Sequence, residues 1–186
     1  MTFGELLHAL RAAADRGADF RDLEDDIEHL AEHEPEASRA ETLAYTGDEE
    51  MRIWALGLIG DPRDRDRFVA ALDDPDLRFT ALEALGNQPD RDHTDRIART
   101  FLDDPDPMVR SKAAGLVLWL RRPGYIEALL PLTADPDRDV RSVITLRLGI
   151  RAEPAAEPLL RIMLDDPDDR IRRSAEKALQ RLTPHD

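Results

Sequence analysis

The sequence predicts an all-α protein, a solenoid of about twelve helices stacked in pairs, and three observations predict it. Asp-Pro-Asp recurs at residues 74–76, 104–106, 135–137 and 166–168, so successive units begin 30 or 31 residues apart. Each marker is followed by apolar residues falling at i, i+4, i+7 and i+8, one stripe of a helix with a 3.6-residue period. Between these phrases lies a second apolar segment with helical spacing. Two amphipathic helices cannot bury both stripes by themselves, so neighbouring units must share a core.

The first 45 residues lack the marker yet read as helices, near 2–16, 20–33 and 36–46. Phe3, Leu6, Leu7 and Leu10 form one stripe, and Phe20, Leu23, Ile27 and Leu30 a second. Gly17 suits a helix C-cap position, and Asp19 can cap the next helix. From residue 46 the first helix of each unit is signalled by Met51-Arg52, Leu77-Arg78, Val109-Arg110, Val140-Arg141 and Ile171-Arg172. Second helices are signalled by Phe68 with Leu72, Ile97 with Phe101, Tyr125 with Leu129, and Leu159 with Met163. In the marker, Asp is a good N-cap acceptor and proline fits a turn or first helical turn that needs no donor. The residue before proline avoids the helical region, so the preceding helix stops there. The fifth copy supplies only a first helix before Thr183-Pro184-His185-Asp186. The expected organisation is therefore one continuous domain, with acidic capping helices over 1–45 and five repeats over 46–186, the last incomplete.

Apolar residues make up 41% of the chain and charged residues 35%, too apolar for disorder and too charged for a membrane protein. With no cysteine, disulfides, thiolate metal sites and cysteine nucleophiles are excluded. Met1 to Asp15 contain no uninterrupted apolar segment resembling a secretory signal. A cytoplasmic location is expected. The net charge of −14 is concentrated near the N-terminus, where residues 1–45 hold twelve acidic residues against four arginines. Such a surface repels phosphate backbones and disfavours nucleic-acid binding.

The phrase Leu102-Asp103-Asp104-Pro105-Asp106-Pro107-Met108-Val109-Arg110 with Ala113-Ala114, and Ile59-Gly60-Asp61-Pro62-Arg63, resembles short bacterial HEAT repeats of the phycobilin-lyase type. The resemblance covers residues 46–183 and implies a right-handed α-α superhelix, a HEAT-repeat solenoid, whose second helices line a concave binding surface. It also implies a structural ladder in which Arg52, Arg78, Arg110, Arg141 and Arg172 pair with turn aspartates, among them Asp74, Asp104, Asp135 and Asp166, and with helix-end carbonyls. One planar guanidinium can join several acceptors. An anion-binding column of arginines is the weaker alternative.

On the second helices, Arg65, His93, Arg96, Arg99, Tyr125, Glu127, Glu157 and Arg161 fall off the apolar stripe and are the candidate partner-binding residues. Ile53, Trp54 and Phe79 occupy first-helix positions that later repeats fill with Ser111-Lys112, Ser142-Val143 and Arg173-Ser174. They either pack under the N-terminal helices or form an apolar patch of the kind that anchors interfaces. Trp119 carries the same ambiguity. The Asp pairs 73–74, 103–104 and 165–166 offer oxygen ligands, but their recurrence at successive turns argues for a structural task instead. His29 and His33 lie one helical turn apart without an evident third ligand, which favours solvated surface histidines over zinc. No Gly-rich phosphate loop, serine elbow or zinc-protease motif is present.

The expected function is a protein-protein interaction module, a scaffold, adaptor or regulatory subunit, acting without a cofactor on another protein as a monomer or weak homodimer. An acidic inhibitor or immunity protein covering a basic partner is the specific alternative. The resemblance also admits two enzyme classes, bilin lyases and alkylpurine DNA glycosylases. A glycosylase would need a basic groove with aromatics, against which the charge argues.

Overall fold

The computed structural model describes residues 1–17, 19, 21–151 and 153–182. Phe20, placed in the second N-terminal stripe, and residues 183–186 lie outside them. Among the described residues there are twelve α-helices and no strand. Their contacts gather into two compact units, 1–89 and 90–186.

The first unit opens with α1 (Phe3–Asp15), α2 (Arg21–His33) and α3 (Pro35–Ala44). Thr2 starts α1 with a reciprocal capping box: its hydroxyl accepts from the Glu5 N–H, and the Glu5 carboxylate accepts from the Thr2 N–H at 2.9 Å. Asp19 accepts from the Arg21 N–H at the start of α2. Pro35, lacking a donor, begins α3 directly after α2. Asp48 caps α4 (Glu49–Ile59), which Gly60 closes in the left-handed region at φ 69°. A 3-10 turn at Pro62–Asp64 leads into α5 (Arg65–Ala71), and α6 (Arg78–Gly86) packs on both α4 and α5. The apolar stripes meet in a core of Phe3, Leu6, Leu7, Leu10, Ile27, Ala31, Tyr45 and Ala55, with Trp54, Leu58 and Ile59 packed against it. The N-terminal helices thus share one interior with the first repeat.

The second unit holds α7 (Arg91–Arg99), α8 (Pro107–Leu120), α9 (Tyr125–Leu129), α10 (Arg138–Arg151), α11 (Glu157–Ile162) and α12 (Asp169–Leu182). The long first helices α8, α10 and α12 pack side by side, while α7 lies on α8 and α11 on α12. Val109, Ala113, Val117, Val140, Ile144, Ile171 and Ala175 face inward from the first helices, and Leu129, Leu159 and Leu160 from the second. Two of these second helices are shorter than their apolar spacing predicts. α9 gives way to a 3-10 turn at Leu130–Ala134, where Pro131 cannot donate back to the preceding turn, and α11 is flanked by 3-10 turns at 154–156 and 163–165.

The marker turns show why Asp-Pro-Asp starts a helix. The first aspartate folds the turn by accepting from the N–H two residues on, at 2.9 Å for Asp104, 2.8 Å for Asp135 and 2.8 Å for Asp166. The second aspartate accepts from the first helical amides: Asp106 from Met108, Asp137 from Asp139, and Asp168 from Arg170. Two aspartates and one proline therefore stop one helix and cap the next.

Candidate functional site

The recurrent arginines project from the first turn of α8, α10 and α12 back over the marker. Arg110 donates at 2.8 Å to the Asp104 carbonyl, Arg141 at 2.8 Å to the Asp135 carbonyl, and Arg172 at 2.5 Å to the Asp166 carbonyl, each six residues upstream. The remaining fork crosses to the next turn. Arg110 grips Asp135 with bonds of 2.7 and 2.8 Å, and Arg141 grips Asp166 at 2.8 and 3.2 Å. These pairs are buried, with the Arg141 side chain 9% and Asp166 1% exposed. Burial pushes the Asp135 and Asp166 carboxyls up, but the bidentate arginine and the turn N–H outweigh it, so both stay below the ordinary carboxylate range.

Asp74 does not belong to this ladder, contrary to the sequence expectation. In the other three turns the arginine follows the first marker aspartate by six residues, whereas Arg78 follows Asp74 by four. Arg78 keeps its own six-residue bond and so donates to the Leu72 carbonyl at 3.0 Å. Leu72 stands where a carboxylate would be needed, and Asp74 is exposed. Arg52 turns to Glu49 and, at 2.8 Å, to the Tyr45 carbonyl. A rung absent from the sequence expectation joins α3 to the turn before α5. Arg39 grips the buried Asp64 at 2.7 and 2.8 Å, beside an Asp61 whose carboxyl the Arg63 guanidinium holds down to about 2. Its 25-residue separation is that of Arg110 from Asp135 and Arg141 from Asp166, the only sign of it in the sequence.

The candidate partner-binding residues divide. Arg99 is a correction: its guanidinium donates to Asp95 at 2.7 Å and to the carbonyls of Gly124 and Pro123 at 3.1 Å, fastening α7 to the turn before α9. Tyr125 is a second, because its half-buried hydroxyl donates to Glu153 at 2.7 Å, and Glu153 also pairs with Arg121. Both side chains face neighbouring turns, where the fold has carbonyls and carboxylates to satisfy. Arg96, Glu127 and Arg161 are exposed. Arg161 pairs with the half-buried Glu157 on its own helix at 2.6 Å, and Arg96 lies 3.4 Å from the half-buried His93 ring. Arg65, half-buried, lies 3.7 Å from Asp66.

Ile53 is completely buried and so belongs to the core, not to a surface patch. Trp54 and Phe79 are half-buried. Trp119 is 39% exposed, with the Arg91 guanidinium 4.4 Å from its ring centre, a cation-π contact. The His33 ring contacts the His29 carbonyl at 2.8 Å, and the two exposed rings lie 4.1 Å apart. Among the described residues no group of three or more His, Asp or Glu is placed to hold a metal ion, and no helix is long and apolar enough to cross a membrane.

The family model for HEAT repeats matches the chain three times, over residues 37–116, 66–149 and 98–180. No curated protein matches it.

Proposed function

The chain belongs to the HEAT-repeat family, and from that premise we propose that it is a protein-interaction module, a scaffold, adaptor or regulatory subunit rather than a catalyst. One observation carries this. The residues that recur from repeat to repeat are consumed by the fold, as Arg110 with Asp135 and Arg141 with Asp166 show, while the exposed side chains of the second helices differ: Arg96 on α7, Glu127 on α9, Arg161 on α11. A repeated interior with a varied exterior is how repeat folds present a recognition surface. In this reading residues 1–45 are a cap on the repeats, and the protein acts in the cytoplasm as a monomer or weak homodimer.

The test is to isolate the tagged full chain from its own host and identify what copurifies. The affinity of the purified partner is then measured by calorimetry against the wild type and against Arg96→Glu with Arg161→Glu. About tenfold or greater weakening is expected from the double reversal, the effect of lost complementarity at charged contacts. Unchanged affinity would take these helices out of the binding surface, and the absence of any stoichiometric partner would sink the proposal. A second reading, an acidic inhibitor covering a basic partner, is favoured by α2, where Asp22, Asp25, Asp26, Glu28 and Glu32 are all exposed.

A further inference from the structure

Within the first unit, a trough runs between α2, α4 and α6. One stretch is lined by Glu28, Trp54, Gly57, Leu58, Thr80, Glu83, Ala84 and Asn87. The other is lined by Glu28, Ala31, Glu32, Pro35, Leu58 and Ile59. Glu28 and Leu58 line both, so the two stretches of the trough adjoin. Its floor is apolar: Trp54, Leu58 and Ile59 pack against the core from α4 and remain half-buried, and Ala31 reaches it from α2. Its charged lining has one sign, with Glu28, Glu32 and Glu83 present and no Lys, Arg or His among the lining residues.

This combination arises from how α2 meets α4. Ile27 and Ala31 point into the core, so Glu28 and Glu32, each one residue further along the helix, are carried to the edge of the contact and stand over Leu58. On the other side, Gly57 has no side chain and Ala84 a single methyl, so the α4–α6 seam stays shallow beside the Trp54 ring. The result is an indole with carboxylates around it and aliphatic surface next to it.

We propose that this trough is a docking site for a basic segment of a partner protein, with an arginine seated between Trp54 and the Glu28 carboxylate and an adjacent side chain over Leu58 and Ile59 beside Glu32. It rests on the protein-interaction reading above and names the chemistry of the partner. A guanidinium fits better than an ammonium because its plane stacks on an indole while its edge donates to a carboxylate. The carboxylates on the exposed side of α2 extend the same potential outward, which speeds encounter with a cationic partner and makes association salt-sensitive.

The test uses the full chain carrying Trp119→Phe, so that Trp54 is its single tryptophan. The probe is a synthetic helical peptide with arginine and leucine on one face. Saturable change in Trp54 emission is expected, and Glu28→Gln with Glu32→Gln should weaken binding about tenfold, as for loss of close charge partners. Asp22→Asn with Asp25→Asn removes the same charge from α2 outside the trough and should cost about twofold at most, the scale of a screened surface contribution. No saturable change, or equal weakening by the two pairs, overturns the proposal. So does a Trp54 signal that moves on dilution of the protein alone, which would place a second copy in the trough. A copurified partner that loses affinity with Arg96→Glu but not with Glu28→Gln and Glu32→Gln would remove this inference while leaving the interaction reading intact.

Discussion

At the scale of single residues, the same pairing of arginine with carboxylate does different work according to burial. Arg141 and Asp166 sit in the interior, and the arginine also satisfies the Asp135 carbonyl, so removing it would strand a buried carboxylate and a buried acceptor together. Arg141→Ala is expected to cost about 3–5 kcal/mol, the range for breaking one side of a buried pair. Arg161→Ala, whose partner Glu157 lies on an exposed face, should cost no more than about 0.5 kcal/mol. Chemical denaturation of the two variants measures the contrast, and equal losses would contradict it. The pH dependence follows from the sign of the shift. Asp135 and Asp166 are held below the ordinary carboxylate range in the fold, so their stabilisation is fully present above about pH 4, the unfolded value, and is lost as pH falls through the lower folded values. The difference in thermal midpoint between wild type and Arg141→Ala should therefore narrow below about pH 4. At this scale the sequence disclosed the arginines and marker aspartates as residue types in register. It did not disclose that Asp74 is out of register, because two missing residues between Asp74 and Arg78 leave the tripeptide intact while shifting what stands opposite the guanidinium. Nor did it disclose Arg99 or Tyr125 as fasteners, since being off the apolar stripe says nothing about a neighbouring loop with carbonyls to satisfy.

At the scale of elements, helix pairs are held apart or together by what stands at their crossing. A Cβ built on Gly57 of α4 would lie 2.7 Å from the Ala84 Cβ and 2.9 Å from the Ala84 Cα on α6. The second contact is with backbone, so one helix must shift to relieve it. The corresponding crossing of α10 with α12 shows the same economy, with a Cβ on Gly149 reaching the Ala178 methyl at 3.0 Å. Gly57→Ala thus sets two effects against each other. Helix propensity favours alanine by about 1 kcal/mol, while overpacking costs about 1–3 kcal/mol. Because backbone meets the new methyl, net destabilisation of roughly 1–2 kcal/mol is expected. Ala84→Gly added to it should recover part of that loss, giving a favourable coupling above about 0.5 kcal/mol in a double-mutant cycle. Additive effects in urea denaturation would show that the crossing is looser than its geometry. The apolar spacing made the twelve helices legible, and Asp-Pro-Asp made the starts of α8, α10 and α12 legible. The truncation of α9 was legible only in Pro131, a residue whose missing donor ends an α-helical ladder that Tyr125, Ile126 and Leu129 otherwise favour.

At the scale of the molecule, the sequence reads as an unbroken series of repeats, and contacts along the backbone gather residues 1–89 and 90–186 into two compact units. Periodicity could not reveal this, because it records which residues face inward and not how densely they meet. The second unit buries its own set: Val109, Val117, Leu129, Val140, Ile144, Leu159, Leu160 and Ile171 are each at most 2% exposed. It also contains the ladder pairs Arg110 with Asp135 and Arg141 with Asp166. In repeat folds, stability is close to a sum of repeat and nearest-neighbour contributions, so a stretch holding several repeats and their mutual contacts can fold without the rest. Residues 90–186 expressed alone should accordingly be helical and melt in one cooperative transition, with Arg141→Ala lowering that transition as it does in the full chain. Circular dichroism against temperature decides it. A fragment that is disordered, or that melts without cooperativity, would mean that the second unit depends on residues before 90 for its order, and that the ladder consolidates a core it cannot establish.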